Sequence, residues 1–276
     1  CYKQKFYGIS SHRCLQMTPT AFHCTMRCLF CWRVQPDDIG VKTDEVRMKG
    51  RDDPSFIVEE SIKAQRRILS GYKAHEEIAA KKYIETLNPN HAAISLTGEP
   101  TLYRRLGDLI QEFHKRNMTT FLVTSGTIPT ALSNISREPS QLYVSLYAPD
   151  EKTFRKTCRP QIPRAWHRVK ESLKILKSFK CPTVIRLTLI KNLNLKNPEG
   201  YAKLVSESGS TYVEAKSYMC VGFSRRRLSL EDMPTHREIK LFSQKLSGLT
   251  GYKIINESPE SRVVLLSRLD KSIKIR

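Results

Sequence analysis

The sequence predicts an α/β fold: a partial (β/α)6 TIM-like barrel with N-terminal and C-terminal extensions. Six short apolar runs alternate with helical patterns between residues 18 and 220. Parallel strands need crossovers of a dozen or so residues, and such alternation builds either a doubly wound sheet or a barrel. The unusual residues collect where strands would end, in the Cys24–Cys31 loop, at Gly98-Glu99-Pro100 and at Ser125-Gly126. That is where barrels carry their functional groups, which decides for the barrel.

Taken in order, residues 1–17 are polar and loop-like and form the N-terminal extension; the barrel spans 18–220 and the C-terminal extension 221–276. Thr18–His23 reads as the first strand, with the cysteine loop at its end. Residues 35–55 are turn-rich. Pro54-Ser55 opens a helix carrying Ile57, Ile62, Ile68 and Leu69 to about residue 70, and a second helical stretch covers 74–87. Strand 92–96 precedes helix 104–117, then strand 119–124, a short helix at 129–135 and strand 141–146. Helix 164–179 places Trp166, Val169, Leu173, Leu176 and Phe179 on one face. Strand 183–190, helix 198–208 and strand 212–218 complete the barrel. A helix at 235–247 and strands at 252–256 and 262–267 form the tail.

Of 276 residues, 39% are hydrophobic and 27% charged, which reads as globular. No run of about 18 apolar residues and no signal-like N-terminus is present, so a cytoplasmic protein without a membrane partner is expected. Lys and Arg number 47 against 27 Asp and Glu, a formal charge of +20. So large an excess points to a polyanionic partner, nucleic acid first. Five of the eight cysteines fall in the first 31 residues, which favours a metal site over a disulfide framework.

Cys24, Cys28 and Cys31 stand at C-x3-C-x2-C spacing with Phe30 before the last. A loop of that length can wrap one compact metal centre. Three thiolates leave one iron of a four-iron cube without a protein ligand, whereas structural zinc usually takes four. A broken zinc site, a disulfide and three separate thiols are the competing readings. Arg186 on the fifth strand, and Glu214 and Lys216 sharing a face of the sixth, point to an inner surface or to buried ion pairs. Arg225, Arg226 and Arg227 with Phe223 form a dense basic cluster suited to phosphates and an unpaired base.

The cysteine spacing resembles that of the radical S-adenosylmethionine (SAM) enzymes. A more specific likeness covers nearly the whole chain. It rests on Cys1-Tyr2-Lys3-Gln4-Lys5-Phe6-Tyr7-Gly8-Ile9, His12-Arg13-Cys14, the Cys24–Trp32 loop, Ile94–Tyr103, and Glu214-Ala215-Lys216-Ser217-Tyr218-Met219 with Val221-Gly222-Phe223-Ser224. These resemble the tRNA-modifying radical SAM family of 4-demethylwyosine synthases, in the archaeal form without a flavodoxin module.

The resemblance implies that Cys24, Cys28 and Cys31 hold a 4Fe–4S cluster chelated by SAM, with Phe30, Gly98, Glu99, Pro100, Ser125 and Arg186 around the cofactor. Cys1 and Cys14 match two of three ligands of a second 4Fe–4S cluster, the third falling before Cys1. Ser125 stands where relatives present Asn, and Thr97 replaces the first Gly of their Gly-Gly-Glu. Lys3 matches a lysine that forms a Schiff base with pyruvate. The implied reaction joins N1-methylguanosine-37 in the anticodon loop of tRNA(Phe) to a two-carbon unit of pyruvate. Arg225, Arg226 and Arg227 would bind RNA, flavodoxin or ferredoxin would supply electrons, and a monomer is expected. Alternatives are a radical SAM enzyme acting on a small molecule or protein, and a metal-dependent RNA-binding module.

Overall fold

Six parallel strands, five of them on the expected apolar runs, lie in chain order across one sheet. The computed structural model describes residues 1–48, 52–75 and 79–275. Its strands are β1 Cys14–Met17, β2 His91–Ile94, β3 Thr119–Thr124, β4 Gln141–Ser145, β5 Thr183–Leu189 and β6 Tyr212–Ser217, each hydrogen-bonded to the next. β7 Lys253–Ser258 and β8 Val263–Ser267 continue the sheet antiparallel, in the order β6-β8-β7. The tail strands β7 and β8 therefore extend the same sheet.

The helices α2 Pro54–Leu69, α4 Leu106–Lys115, α5 Pro129–Ser133, α7 Ala165–Ile175, α8 Pro198–Ser208 and α9 His236–Thr250 supply the crossovers and the tail. The main core gathers their apolar faces with Leu15, Ile94, Leu122, Val144, Ile185 and Val213 of the strands. Burying residues from both ends of the chain in one core makes the fold a single unit. A short α3, Ala80–Thr86, lies within the expected stretch 74–87, of which 76–78 fall outside the described residues. Among the described residues no helix is long and apolar enough to cross a membrane.

Three expectations change. The first strand is Cys14–Met17, not 18–23. Pro19 has no N–H to give a ladder, whereas Leu15 and Met17 enter the main core and the Met17 carbonyl accepts from Ser95 N–H. Residues 2–7 are not loop but helix α1, stopped by Gly8 at φ 75°, a left-handed position that glycine occupies without strain. The third change is α6, Glu151–Cys158, N-capped by Asp150 onto Thr153 N–H.

Helix α1 packs on the inner face of the sheet. Its Phe6 and Tyr7 pack there with Ile9, Ala93, Phe121, Tyr143, Val184, Tyr212, Val263, Leu265 and Ile275. Strand alternation puts Cys14 on this face too, packed against that inner cluster.

Candidate active site

The cysteine loop leaves the C-terminal end of β1 and is pinned by its backbone. Cys24 N–H donates to Glu45 O, Arg27 N–H to Cys158 O and Leu29 N–H to Thr157 O, with an antiparallel bridge between Met26 and Pro160. Its carbonyls point to donors from distant segments. Arg159 Nε donates to Arg27 O at 2.7 Å, Gln35 Nε2 to Cys28 O at 2.7 Å and Arg227 Nε to Leu29 O at 3.1 Å. Arg227 also donates to Cys31 O and pairs with Asp38 at 2.8 Å. Buried Glu45 takes Arg27 and Arg33 at 2.8 and 2.6 Å. Charge-assisted bonds of this kind are the strong ones.

Burial pushes the Cys24 and Cys31 thiols up, and each is raised further by Cys28. Cys28 is raised by a hydrogen bond with the Cys158 thiol and then by burial. Phe30 packs on Tyr147, their ring centroids 4.7 Å apart.

Gly98 lies against this loop. At φ +73°, a Cβ there would sit 2.0 Å from Thr20 O and 2.7 Å from His23 O, so only glycine fits. Glu99 N–H donates to His23 O at 2.8 Å. The Glu99 side chain, expected at the cofactor, is instead buried and saturated by protein donors: Thr101 N–H and hydroxyl, Thr124 hydroxyl, and Ser125 N–H and hydroxyl. It ties the ends of β2 and β3 together. Ser125, whose hydroxyl is also 3.0 Å from that of Thr127, belongs to this brace. Pro100 opens a 3-10 turn, Pro100–Leu102.

The second constellation lies on the inner face around α1. Lys3 Nζ stands 4.5 Å from the Phe121 ring centroid and 4.3 Å from that of Tyr143. Burial lowers its amine to about 8, with Arg186 lowering and Glu214 and Cys14 raising it. Glu214, wholly buried, accepts from Tyr2 at 2.9 Å, Tyr7 at 2.7 Å, Tyr143 at 3.1 Å and Arg186 at 2.9 and 3.1 Å. Burial pushes this carboxyl up, yet Arg186, Lys3 and the tyrosines hold it below the usual range. Arg186 stacks on Tyr143 at 4.7 Å and donates to Tyr2 at 2.6 Å. Expected at the cofactor, Arg186 thus faces the Lys3 chamber, because Glu214 lies opposite it in the β5–β6 register. Further along the strands, Gln16 is exposed and Val123, Thr188 and Lys216 are half-buried, leaving the inner face open toward the cysteine loop.

Family models match the Radical SAM superfamily over residues 18–205 and Wyosine base formation over 207–268. The chain is 51% identical over 274 residues to the S-adenosyl-L-methionine-dependent tRNA 4-demethylwyosine synthase of Pyrococcus horikoshii, covering 98% of this chain and 79% of that one. The chain belongs to the radical SAM tRNA 4-demethylwyosine synthases. The Methanocaldococcus jannaschii synthase is 41% identical, at 99% and 86% coverage. A solved structure described as TYW1 with a lysine-pyruvate adduct bound superposes with TM-score 0.88 at 38% identity, covering 100% of this chain and 87% of that one. An archaeal TYW1 crystal structure gives 0.80 at 34% identity, covering 99% and 85%.

Members of this superfamily work with SAM and a 4Fe–4S cluster, and the residues present fit such a group. Three thiols share one loop whose amides and carbonyls are fixed by the surrounding segments. Among the described residues, no three His, Cys, Asp or Glu side chains gather as ligands of a single ion. A cube takes one thiolate per iron, so its ligands need not converge on a point.

The 4-demethylwyosine synthase fold also divides the basic cluster. Arg225 and Arg226 are exposed, and Arg226 stacks on Phe223 at 4.9 Å. Arg227, expected among the RNA contacts, is turned inward with only 8% of its side chain exposed and clamps the cysteine loop. Cys1 is exposed at the start of α1, and Cys14 is half-buried at the start of β1. The sequence reading missed Tyr2, Tyr7 and Tyr143 around Glu214, and Gln35, Arg159 and Cys158 around the cysteine loop. Gly8 five residues after Lys3 was a helix-stop signal for α1; nothing local marks the others, which meet their partners only through the fold.

Proposed function

We propose that the chain condenses N1-methylguanosine-37 of tRNA(Phe) with a two-carbon unit of pyruvate, giving 4-demethylwyosine. The observation that carries this is Lys3: an amine on the inner face, between two aromatic rings, with its proton affinity lowered to about 8. A desolvated amine near another cation is a competent carbonyl nucleophile, and a relative's structure is described as holding a lysine-pyruvate adduct. Lys3 would attack the keto carbon and lose water to give a Schiff base. Arg186 and Lys216 would supply positive charge for the keto acid's carboxylate.

Cys24, Cys28 and Cys31 would hold the cluster, with Phe30 and the backbone of Gly98 and Pro100 around SAM. When bound, these groups supply a 5′-deoxyadenosyl radical able to take hydrogen from a methyl group. Glu99 and Ser125 would brace that end without touching the cofactor. Cys1 and Cys14 would serve a second 4Fe–4S cluster, and a flavodoxin or ferredoxin would supply electrons. Arg225 and Arg226 would grip phosphates flanking a base splayed from the anticodon loop.

The test is anaerobic turnover with SAM, reductant, pyruvate and tRNA carrying N1-methylguanosine. Wild type is expected to form the tricyclic base while Cys28→Ala and Lys3→Ala form none. Product from Lys3→Ala at the wild-type rate would refute the role of Lys3, and absence of product from fully loaded wild type would refute the substrate assignment.

A further inference from the structure

Trp32 follows the last cysteine of the loop, and its backbone is held from both sides. Phe223 N–H donates to the Trp32 carbonyl at 2.9 Å. A Cβ on Gly222 would lie 2.5 Å from that oxygen, so the two segments meet backbone to backbone. Arg227 donates to the carbonyls of Cys31 before Trp32 and Arg33 after it. The Arg33 side chain is itself buried against Glu45 at 2.6 Å. On this fixed backbone the Trp32 residue is nonetheless left 48% exposed.

The segment that touches Trp32 combines apolar and cationic groups. Met219 and Val221, both exposed, lead into the 3-10 turn Gly222–Arg226, where Arg225 and Arg226 are exposed as well. Phe223, the aromatic that the sequence offers to an unpaired base, is half-buried and already carries the Arg226 guanidinium 4.9 Å from its ring centroid. Trp32, one backbone contact away, is the aromatic that this turn leaves open. A fixed planar ring beside two guanidiniums matches a flat π-face followed by a phosphate, which is the repeat of an unpaired nucleic-acid strand. The chain's formal charge of +20 favours the same polyanion.

We propose that Trp32 is the stacking platform for an unpaired base next to the one that reacts. This rests on the reading of tRNA as substrate and adds to it the residue that orders the loop. Drawing the reacting base out of its stack uncovers the faces of its neighbours. One neighbour lies on the Trp32 indole while Arg225 and Arg226 hold phosphates alongside. Stacking needs a π-face and neutralises no phosphate, so Trp32 adds affinity without adding to its salt dependence.

The test is anaerobic binding of a fluorescently labelled anticodon stem-loop carrying N1-methylguanosine to the full chain, read by anisotropy across a salt series. Trp32→Ala is expected to weaken binding about tenfold, at an unchanged slope of log affinity against log salt. Trp32→Phe should recover most of that loss and Trp32→Leu little of it. A stem-loop abasic at both neighbours of the methylated base should bind wild type and Trp32→Ala alike, each about tenfold more weakly than wild type binds the intact loop. Equal binding of the intact loop by wild type and Trp32→Ala would overturn the proposal and leave the surface to a protein partner. An undiminished effect of Trp32→Ala on the abasic loop, or recovery by leucine as full as by phenylalanine, would overturn it too. Should alanine disturb the cysteine loop, seen as lost iron, Trp32→Phe and wild type on the two stem-loops decide. Failure of wild type to bind any stem-loop sinks the tRNA reading and this with it, whereas tight binding indifferent to residue 32 sinks only this.

Discussion

The cysteine loop and helix α1 enter the same barrel from opposite ends and are held by different chemistry. The loop is fastened by arginine and glutamine side chains that grip its backbone carbonyls, and each arginine is paired to an acid nearby. Helix α1 is fastened by one buried carboxylate, Glu214, shared among three tyrosines and Arg186, inside an aromatic wall. Fixed dipoles and cations suit a loop that, on the proposed reading, would hold a charged inorganic group. An aromatic chamber suits an amine that, on the same reading, would give up its proton. The difference also predicts how each end fails: the loop by losing its ligand, the chamber by losing its fold.

The largest effect that would break this division is at Lys3. Lys3→Arg is expected to abolish pyruvate adduct trapped by borohydride while leaving cluster iron unchanged; parallel loss of iron would show that the two ends are not separable. Next is Glu214→Ala, which strands Arg186 in the interior. Removing one partner of a buried pair costs about 3–5 kcal/mol, read as a lower denaturation midpoint, and an unaltered midpoint would contradict the pin. Gly98→Ala should cost about 1–3 kcal/mol from the positive φ alone, with further loss from the clash with Thr20 O. It should weaken cluster retention more than adduct formation.

Much of the barrel was legible because its strands obey simple rules. Buried parallel strands read as apolar runs, and five of six lie where those runs are. The first was misplaced because Cys14-Leu15-Gln16-Met17 mixes polar and apolar residues, with Leu15 and Met17 buried, Cys14 half-buried on the inner face and Gln16 exposed. Cys24, Cys28 and Cys31 stand out by spacing and type, whereas Lys3 was picked out only through the family resemblance, and Gly98 through its place at a strand end together with that resemblance. The commitment of Glu99 to Ser125, of Arg186 to Glu214 and of Arg227 to the loop carbonyls did not, since each joins segments far apart in sequence.

Two smaller effects sharpen the contrast. Arg225→Gln and Arg226→Gln should each lower the slope of log tRNA affinity against log salt by about 1, whereas Arg227→Gln should leave it unchanged and loosen the cysteine loop; hydrogen exchange over residues 27–33 reports the latter. The smallest concerns His91 at the chamber floor, which burial and Arg13 lower to about 4. The unfolded chain then binds more protons between that value and the ordinary histidine range of about 6.5. Stability should therefore be full above pH 6.5 and decline as pH falls toward 4, a slope that His91→Gln flattens in pH-dependent denaturation.

The most direct measurement is the site of pyruvate attachment. The anaerobic chain is incubated with pyruvate, reduced with borohydride and mapped by peptide mass. Adduct on Lys3, lost in Lys3→Arg and weakened in Glu214→Gln, is the predicted result; adduct on Lys216 with Lys3 unmodified would contradict the account.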